Sequence, residues 1–168
     1  MLELKQDKQV KNYTIWTDGS AETKQKRGGI GVFIKSDTGY KTISKGFQPT
    51  KIGRMEITAL LYAIRYIPKN IKTNVVIYSD SQYVVNSLTK GWIVRWQQEG
   101  WVGRKNIDLW ELVLAEIMER PKMKLRLRWT KGHSTPDNEI SKGNSYADIL
   151  ANYKNFDKFD KDLNDYGT

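Results

Sequence analysis

Residues 53–67 constrain the fold most. Met55, Ala59, Ala63 and Tyr66 recur on one helical stripe, with Ile52, Leu60, Ile64 and Ile67 beside it. Pro68 stops that helix. The chain on both sides is β-prone. Residues 13–17 form a short strand, and GGIGVFIKS and GYKTISKGF read as an antiparallel hairpin about a turn at 37–39. After the helix, TNVVIYS reads as a buried strand that Asp80 closes, leading into a short helix through Leu88. A Trp-rich segment follows, then a helix over 106–119 stopped at Pro121. Residues 124–130 alternate, with Leu125, Leu127 and Trp129 on one side and Lys124, Arg126 and Arg128 on the other. A polar loop and a last helix over 145–153 complete the chain. The order βββαβααβα predicts an α/β fold in which a five-stranded mixed sheet is flanked by helices.

The 168 residues suit one domain with one core. We expect that domain over 1–152 and a short C-terminal tail over 153–168. In the tail, fraying and docking of Phe156 and Phe159 on the core are both open. No apolar run approaches the ~18 residues needed to span a bilayer, and residues 1–12 hold no apolar signal core. A cytoplasmic protein with no membrane partner is expected, and a monomer. The absence of cysteine removes thiol catalysis, zinc–thiolate sites and disulfides. The net charge of +9 fits either a soluble basic surface or a polyanion partner. The tail is slightly acidic, so the excess lies before it.

Four acids sit oddly. Asp18 closes the first strand in TDGS, Glu56 lies at the start of the long helix, Asp80 ends the fourth strand and Asp148 lies on the last helix. Each has a local explanation. Asp18 suits a turn, Asp80 a helix cap, Glu56 a helix dipole and Asp148 a solvated helix face. Together they suggest more. In a mixed sheet, strand ends and helix starts converge at one edge, where ligands bind. Four acids meeting there repel one another unless protonated or neutralised. Hard divalent cations with oxygen ligands answer this, Mg²⁺ first and Mn²⁺ as substitute. A pair of ions about 3.5–4 Å apart holds the attacking and leaving oxygens of a phosphodiester.

The stretches TDGS, RMEITAL, YSDSQYV, WIVRWQQEGW, KGH and GNSYADILA, in that order, resemble type 1 ribonucleases H. The resemblance covers about residues 13–152. It implies a ribonuclease H-like fold and an endonuclease that cleaves the RNA strand of an RNA/DNA hybrid duplex. Such an enzyme leaves 5′-phosphate and 3′-hydroxyl ends and uses two Mg²⁺ ions. By the same resemblance Asp18 would bridge both ions, Asp80 and Asp148 would each hold mainly one, and Glu56 would bind the other and orient water near the 2′-hydroxyl. His133, the only histidine, would serve proton transfer to the leaving group or product release; its local reading is an exposed loop residue. Its loop is longer than is usual for the family.

Substrate contacts follow from the same matches. Asn144 would lie near the cut, or cap the helix. Gln82 would read a minor-groove edge, or be an exposed first-turn residue. Asn106 would grip a DNA phosphate, or cap its helix. Trp92 and Trp96, with Arg95 nearby, form a protruding basic handle, or a small local core. The chain departs from the pattern around AETKQKRGG and before RMEI. There Lys24, Lys26, Arg27 and Lys51 trade directed hydrogen bonds for charge. Two alternatives stay open: a related DNA nuclease or strand-transfer enzyme, and a catalytically silent nucleic-acid-binding module.

Overall fold

A computed structural model describes residues 9–132 and 138–163. The chain opens with β1 (Lys11–Ala21), β2 (Gly28–Ser36) and β3 (Gly39–Phe47). There follow α1 (Ile52–Tyr66), β4 (Thr73–Ser79), α2 (Gln82–Thr89), α3 (Trp92–Gln98) and α4 (Ile107–Met118). β5 (Met123–Trp129), α5 (Glu139–Ala151) and a 3₁₀ turn (Tyr153–Asn155) complete it. The sheet order is β3-β2-β1-β4-β5. The first three strands pair antiparallel, while β4 pairs parallel to β1 and to β5. The five-stranded mixed sheet is the one expected from the order of the elements.

Three elements differ from the sequence reading. β1 runs to Ala21 rather than ending near Thr17, because β2 continues to pair with it after β4 has stopped. Asp18 to Ala21 face Gly31 to Gly28, whereas the β1–β4 pairing ends at Thr17 opposite Ser79. The Trp-rich segment is itself a helix. The last helix begins at Glu139, six residues before Ser145. Its cap is Asn138, whose side chain accepts from the Ser141 N–H at 2.9 Å.

α1 explains the core. Met55, Ala59, Ala63, Leu60 and Ile64 are fully buried, as the stripe requires, and so are Ile57 and Leu61. The helix is wrapped on two sides: Ile15, Ile30, Val32 and Ile77 lie on the sheet below, and Leu109 and Val113 on α4. Each of the Leu, Ile, Val and Met side chains contributes roughly 1.5–3 kcal/mol by leaving water. Tyr66 and Ile52, at the helix ends, leave the stripe and are exposed. α5 covers the other sheet face over β1, β2 and β3 and only touches β4. Among the described residues, no helix covers the β4–β5 half of that face.

The segment after α5 docks. Asp160 exchanges backbone hydrogen bonds at 2.9 Å with Gly46 and Gln48, beside β3. Phe156 and Phe159 meet edge to face over Gly46. Asp162 is buried, accepting from Thr50 Oγ1 at 2.6 Å and from Arg54 Nε and Nη2 at 2.9 and 2.7 Å. Arg54 also donates to both oxygens of Asp108, at 3.1 and 2.7 Å. Burial alone would lower the Arg54 guanidinium; hydrogen bonds to Asp108 and Asp162 outweigh it and hold it above its ordinary value.

Candidate active site

β1 and β4 run side by side until Thr17 and Ser79, so the next residues, Asp18 and Asp80, emerge together at the end of the parallel ladder. Two glycines bring helices to them. A Cβ on Gly19 would stand 2.6 Å from the Glu56 N, so only glycine lets β1 touch the start of α1 here. Gly31, opposite Asp18, lies directly beneath the Ala147 carbonyl. That approach carries Asp148, the next residue of α5, over Asp18.

The result is a row of acids that approach in pairs. Asp18 is hydrogen-bonded to Asp148 and lies in the field of Asp80; Asp80 in turn acts on Glu56. Burial pushes the Asp18 carboxyl up to about 9, with the Asp80 charge and the Asp148 hydrogen bond adding to it. The Gly19 N–H, donating to Asp18 Oδ1 at 2.9 Å, pulls the other way. Burial also raises Glu56; the Ser81 hydroxyl, donating to Oε2 at 3.0 Å, opposes this and the Asp80 charge adds to it. Among the described residues, no three such side chains already form a metal cage. The donor set nonetheless fits hard divalent cations, being all carboxylate.

Asp80 is not the helix cap. Ser81 is, accepting from the Val84 N–H at 3.2 Å. Sequence reasoning passed over Ser81, although a Ser three residues before a helical Val is a legible capping signal. Trp129 Nε1 donates to the Asp80 carbonyl at 3.1 Å, and the Gly132 backbone lies against the Asp80 carboxylate. His133 lies outside the described residues. Asn144 sits one turn before Asp148, 3% exposed, and its Oδ1 has no partner among the described residues. It caps nothing, since Asn138 holds that place.

The remaining candidates surround the edge. Gln82 is exposed in the first turn of α2, and Lys24 is exposed in the β1–β2 loop. Glu22 ties that loop down by accepting from the Lys24 and Gln25 N–H groups and from Arg27. Lys51 occupies the cap position of α1, which has no side-chain cap and no acid in its first turn. Asn106 begins α4 in a left-handed conformation without capping it; its Oδ1 accepts from Arg54 Nη1 at 3.4 Å. Trp92 and Trp96 have ring centroids 6.1 Å apart, and the Arg104 guanidinium lies 4.6 Å from the Trp96 ring centre. With Arg95 they line a shallow cleft of about 310 Å³. Trp96 is buried, so the local packing reading holds for that ring.

The sequence and the fold have known counterparts. The family model described as RNase H matches residues 10–155. A ribonuclease H from Desulforamulus reducens is 37% identical over 140 residues, covering 80% of this chain and 85% of that protein. A ribonuclease HI from Haemophilus influenzae is 37% identical over 136 residues, covering 77% and 84%. Among solved structures, LC9-RNase H1, a type 1 RNase H, superposes with a TM-score of 0.68 at 24% identity, covering 86% of this chain and 72% of that one. The PFV RNase H domain gives 0.65 at 24%, covering 85% and 93%. The chain belongs to the RNase H family and is a ribonuclease H enzyme by that membership.

Proposed function

We propose that the protein hydrolyses the RNA strand of RNA/DNA hybrids, leaving 5′-phosphate and 3′-hydroxyl ends. The observation that carries this reading is the convergence of Asp18, Asp80, Glu56 and Asp148 where the β1–β4 ladder ends and two helices close on it, with the Asp18 carboxyl buried among them. Such a site favours the arrival of cations. Asp18, Asp80, Asp148 and Glu56 would hold two divalent ions, Mg²⁺ or Mn²⁺. When bound, these supply Lewis-acid activation of water and stabilise charge on the phosphodiester.

The chain's own groups orient the rest. The Ser81 hydroxyl fixes one oxygen of Glu56, leaving the other for water and the ribose 2′-hydroxyl. Asn144 offers an amide close to Asp148. His133 carries the proton to the leaving oxygen. Asn106 and Lys51 hold a phosphate of the DNA strand at the uncapped start of α1. Gln82 meets the minor groove, where 2′-hydroxyls distinguish RNA from DNA. Trp92 and Arg95, carried on the buried Trp96, support the duplex beyond the cut, and Lys24 adds charge on the other side.

The test is a panel of labelled RNA/DNA hybrid, double-stranded RNA and double-stranded DNA with Mg²⁺. Cutting confined to the RNA of the hybrid is expected; preferential cutting of double-stranded DNA would sink the proposal in favour of a DNA nuclease. Asp80→Asn is expected to nearly abolish cleavage while hybrid binding survives. A mutant cutting at the wild-type rate would refute the assignment of the acids, and a wild-type protein that binds without cutting would be a silent binding module.

A further inference from the structure

A cleft of about 640 Å³ lies where the first turns of α5 cross β1, β2 and β3. The register explains its floor. Trp16 and Phe33 are partners across β1 and β2, so they share a face, and Lys35 follows on that face two residues after Phe33. Lys35 is in turn the register partner of Tyr40 on β3. Gly143 seats the helix on this floor, since a Cβ there would stand 2.1 Å from the Trp16 ring. Tyr146, nearly a turn further along α5, closes the side. Asp18, Asp80, Glu56 and Asp148 are not among the walls.

The walls supply two kinds of contact. Phe33 stacks with Tyr40 at 5.4 Å and meets Tyr146 at 5.1 Å, tilted. Tyr40 and Tyr146 are 63% and 53% exposed, so ring surface of both stays accessible. Among the described residues, neither tyrosine hydroxyl is hydrogen-bonded. The charged groups are Lys35, Lys142 and a single acid, Glu139, which pairs with Lys35. Lys142 is exposed and has no ion-pair partner among the described residues. Cations therefore outnumber acids around a floor of rings.

We infer that this cleft binds a purine nucleoside monophosphate, with the two-ring base against Tyr40 and Tyr146 and the phosphate on Lys142. Rings alone take any flat apolar molecule, and lysines alone take any anion; together they select an anion that carries a flat ring system. The free hydroxyls of Tyr40 and Tyr146 suit a sugar between the two ends. The volume sets the size. Ligand clefts run from roughly 300 to 1,000 Å³, and this one holds base, sugar and phosphate, whereas a one-ring acid would leave most of it empty. A nucleic-acid strand is the poorer fit, because the walls carry two lysines and no row of cations for successive phosphates. The inference rests on no part of the proposed catalysis.

The test is isothermal titration in EDTA, so that no metal carries phosphate to the acids. The probes are AMP, adenosine, benzoate and a ten-nucleotide adenine strand. AMP is expected to bind about tenfold tighter than adenosine, which lacks the charge, and about tenfold tighter than benzoate, which lacks the stacking area. Tyr146→Ala should weaken AMP about tenfold, and Lys142→Glu should bring it to the affinity of adenosine, with unchanged circular dichroism in each. Arg95→Glu, in the tryptophan cleft, should bind AMP as the wild type does. No binding of AMP, equal affinity for adenosine or benzoate, a loss with Arg95→Glu but not with Lys142→Glu, or binding of the strand without AMP would overturn the inference. A protein that binds AMP in this way yet cuts no hybrid would refute the catalytic reading alone.

Discussion

Burial, the Asp80 charge and the hydrogen bond with Asp148 move the Asp18 carboxyl from its ordinary 3.8 up to about 9. Between those values the folded chain keeps a proton that the unfolded chain releases. This group's contribution to the stability of the metal-free protein is therefore full below about pH 4 and is lost as pH rises toward 9. Denaturant melts in EDTA at pH 5, 7 and 9 should show this fall, and Asp18→Asn should flatten it. Millimolar Mg²⁺ should restore stability at the upper end, because it binds only the folded arrangement of acids. A wild-type curve flat in pH would sink the argument. At this scale the sequence was legible in part. Asp18, Glu56, Asp80 and Asp148 stood out as acids placed where strands end and helices begin. The division of labour between Asp80 and Ser81 did not, because both are good caps and only the backbone shows which one accepts the hydrogen bond. The buried Oδ1 of Asn144, without a partner among the described residues, was equally hidden, since its burial depends on a helix start that the sequence reading set six residues too late.

The elements were legible where periodicity is strong and local. α1 and the β2–β3 hairpin carry their own signals, and both appear within a residue or two of expectation. β1 and the segment after α5 depend on distant partners. Residues 18–21 are strand only because Gly28 to Gly31 lie opposite. The final segment is held by Asp162 against Arg54 and Thr50, more than a hundred residues away, and no local pattern announces such a pair. This makes a prediction about the element. Asp162→Ala leaves a buried guanidinium with Asp108 as its remaining carboxylate partner and should cost about 3 kcal/mol, read by urea denaturation. Loss of less than about 0.5 kcal/mol, the range of ordinary surface changes, would show that the segment does not fasten the fold.

For the whole molecule, the +9 net charge is the property the sequence states most directly. Its distribution needed the structure: Lys24 and Lys51 lie on one side of the acids, Arg95 and Arg104 by the tryptophans, and Lys124 to Arg128 along the sheet edge. Hybrid binding should weaken about a hundredfold between roughly 50 and 200 mM salt, with log K linear in log salt. Titrations in EDTA measure this directly, and a flat response would mean that the charge is incidental.

The seam between the two halves of the sheet has a kinetic consequence. β1 meets β2 by a local hairpin, but it meets β4 and α5 only through long-range closures; the Ser20 hydroxyl bonds the Ala151 carbonyl 131 positions away. Closures of that span are slow to form. A refolding chain can therefore hold its hairpin and α1 while Asp18 still has no acidic neighbour. Recovery of catalytic turnover should lag behind recovery of the helical signal in stopped-flow refolding, and the interval between the two measures the docking of α5. Equal rates would mean that hairpin and crossover assemble as one event.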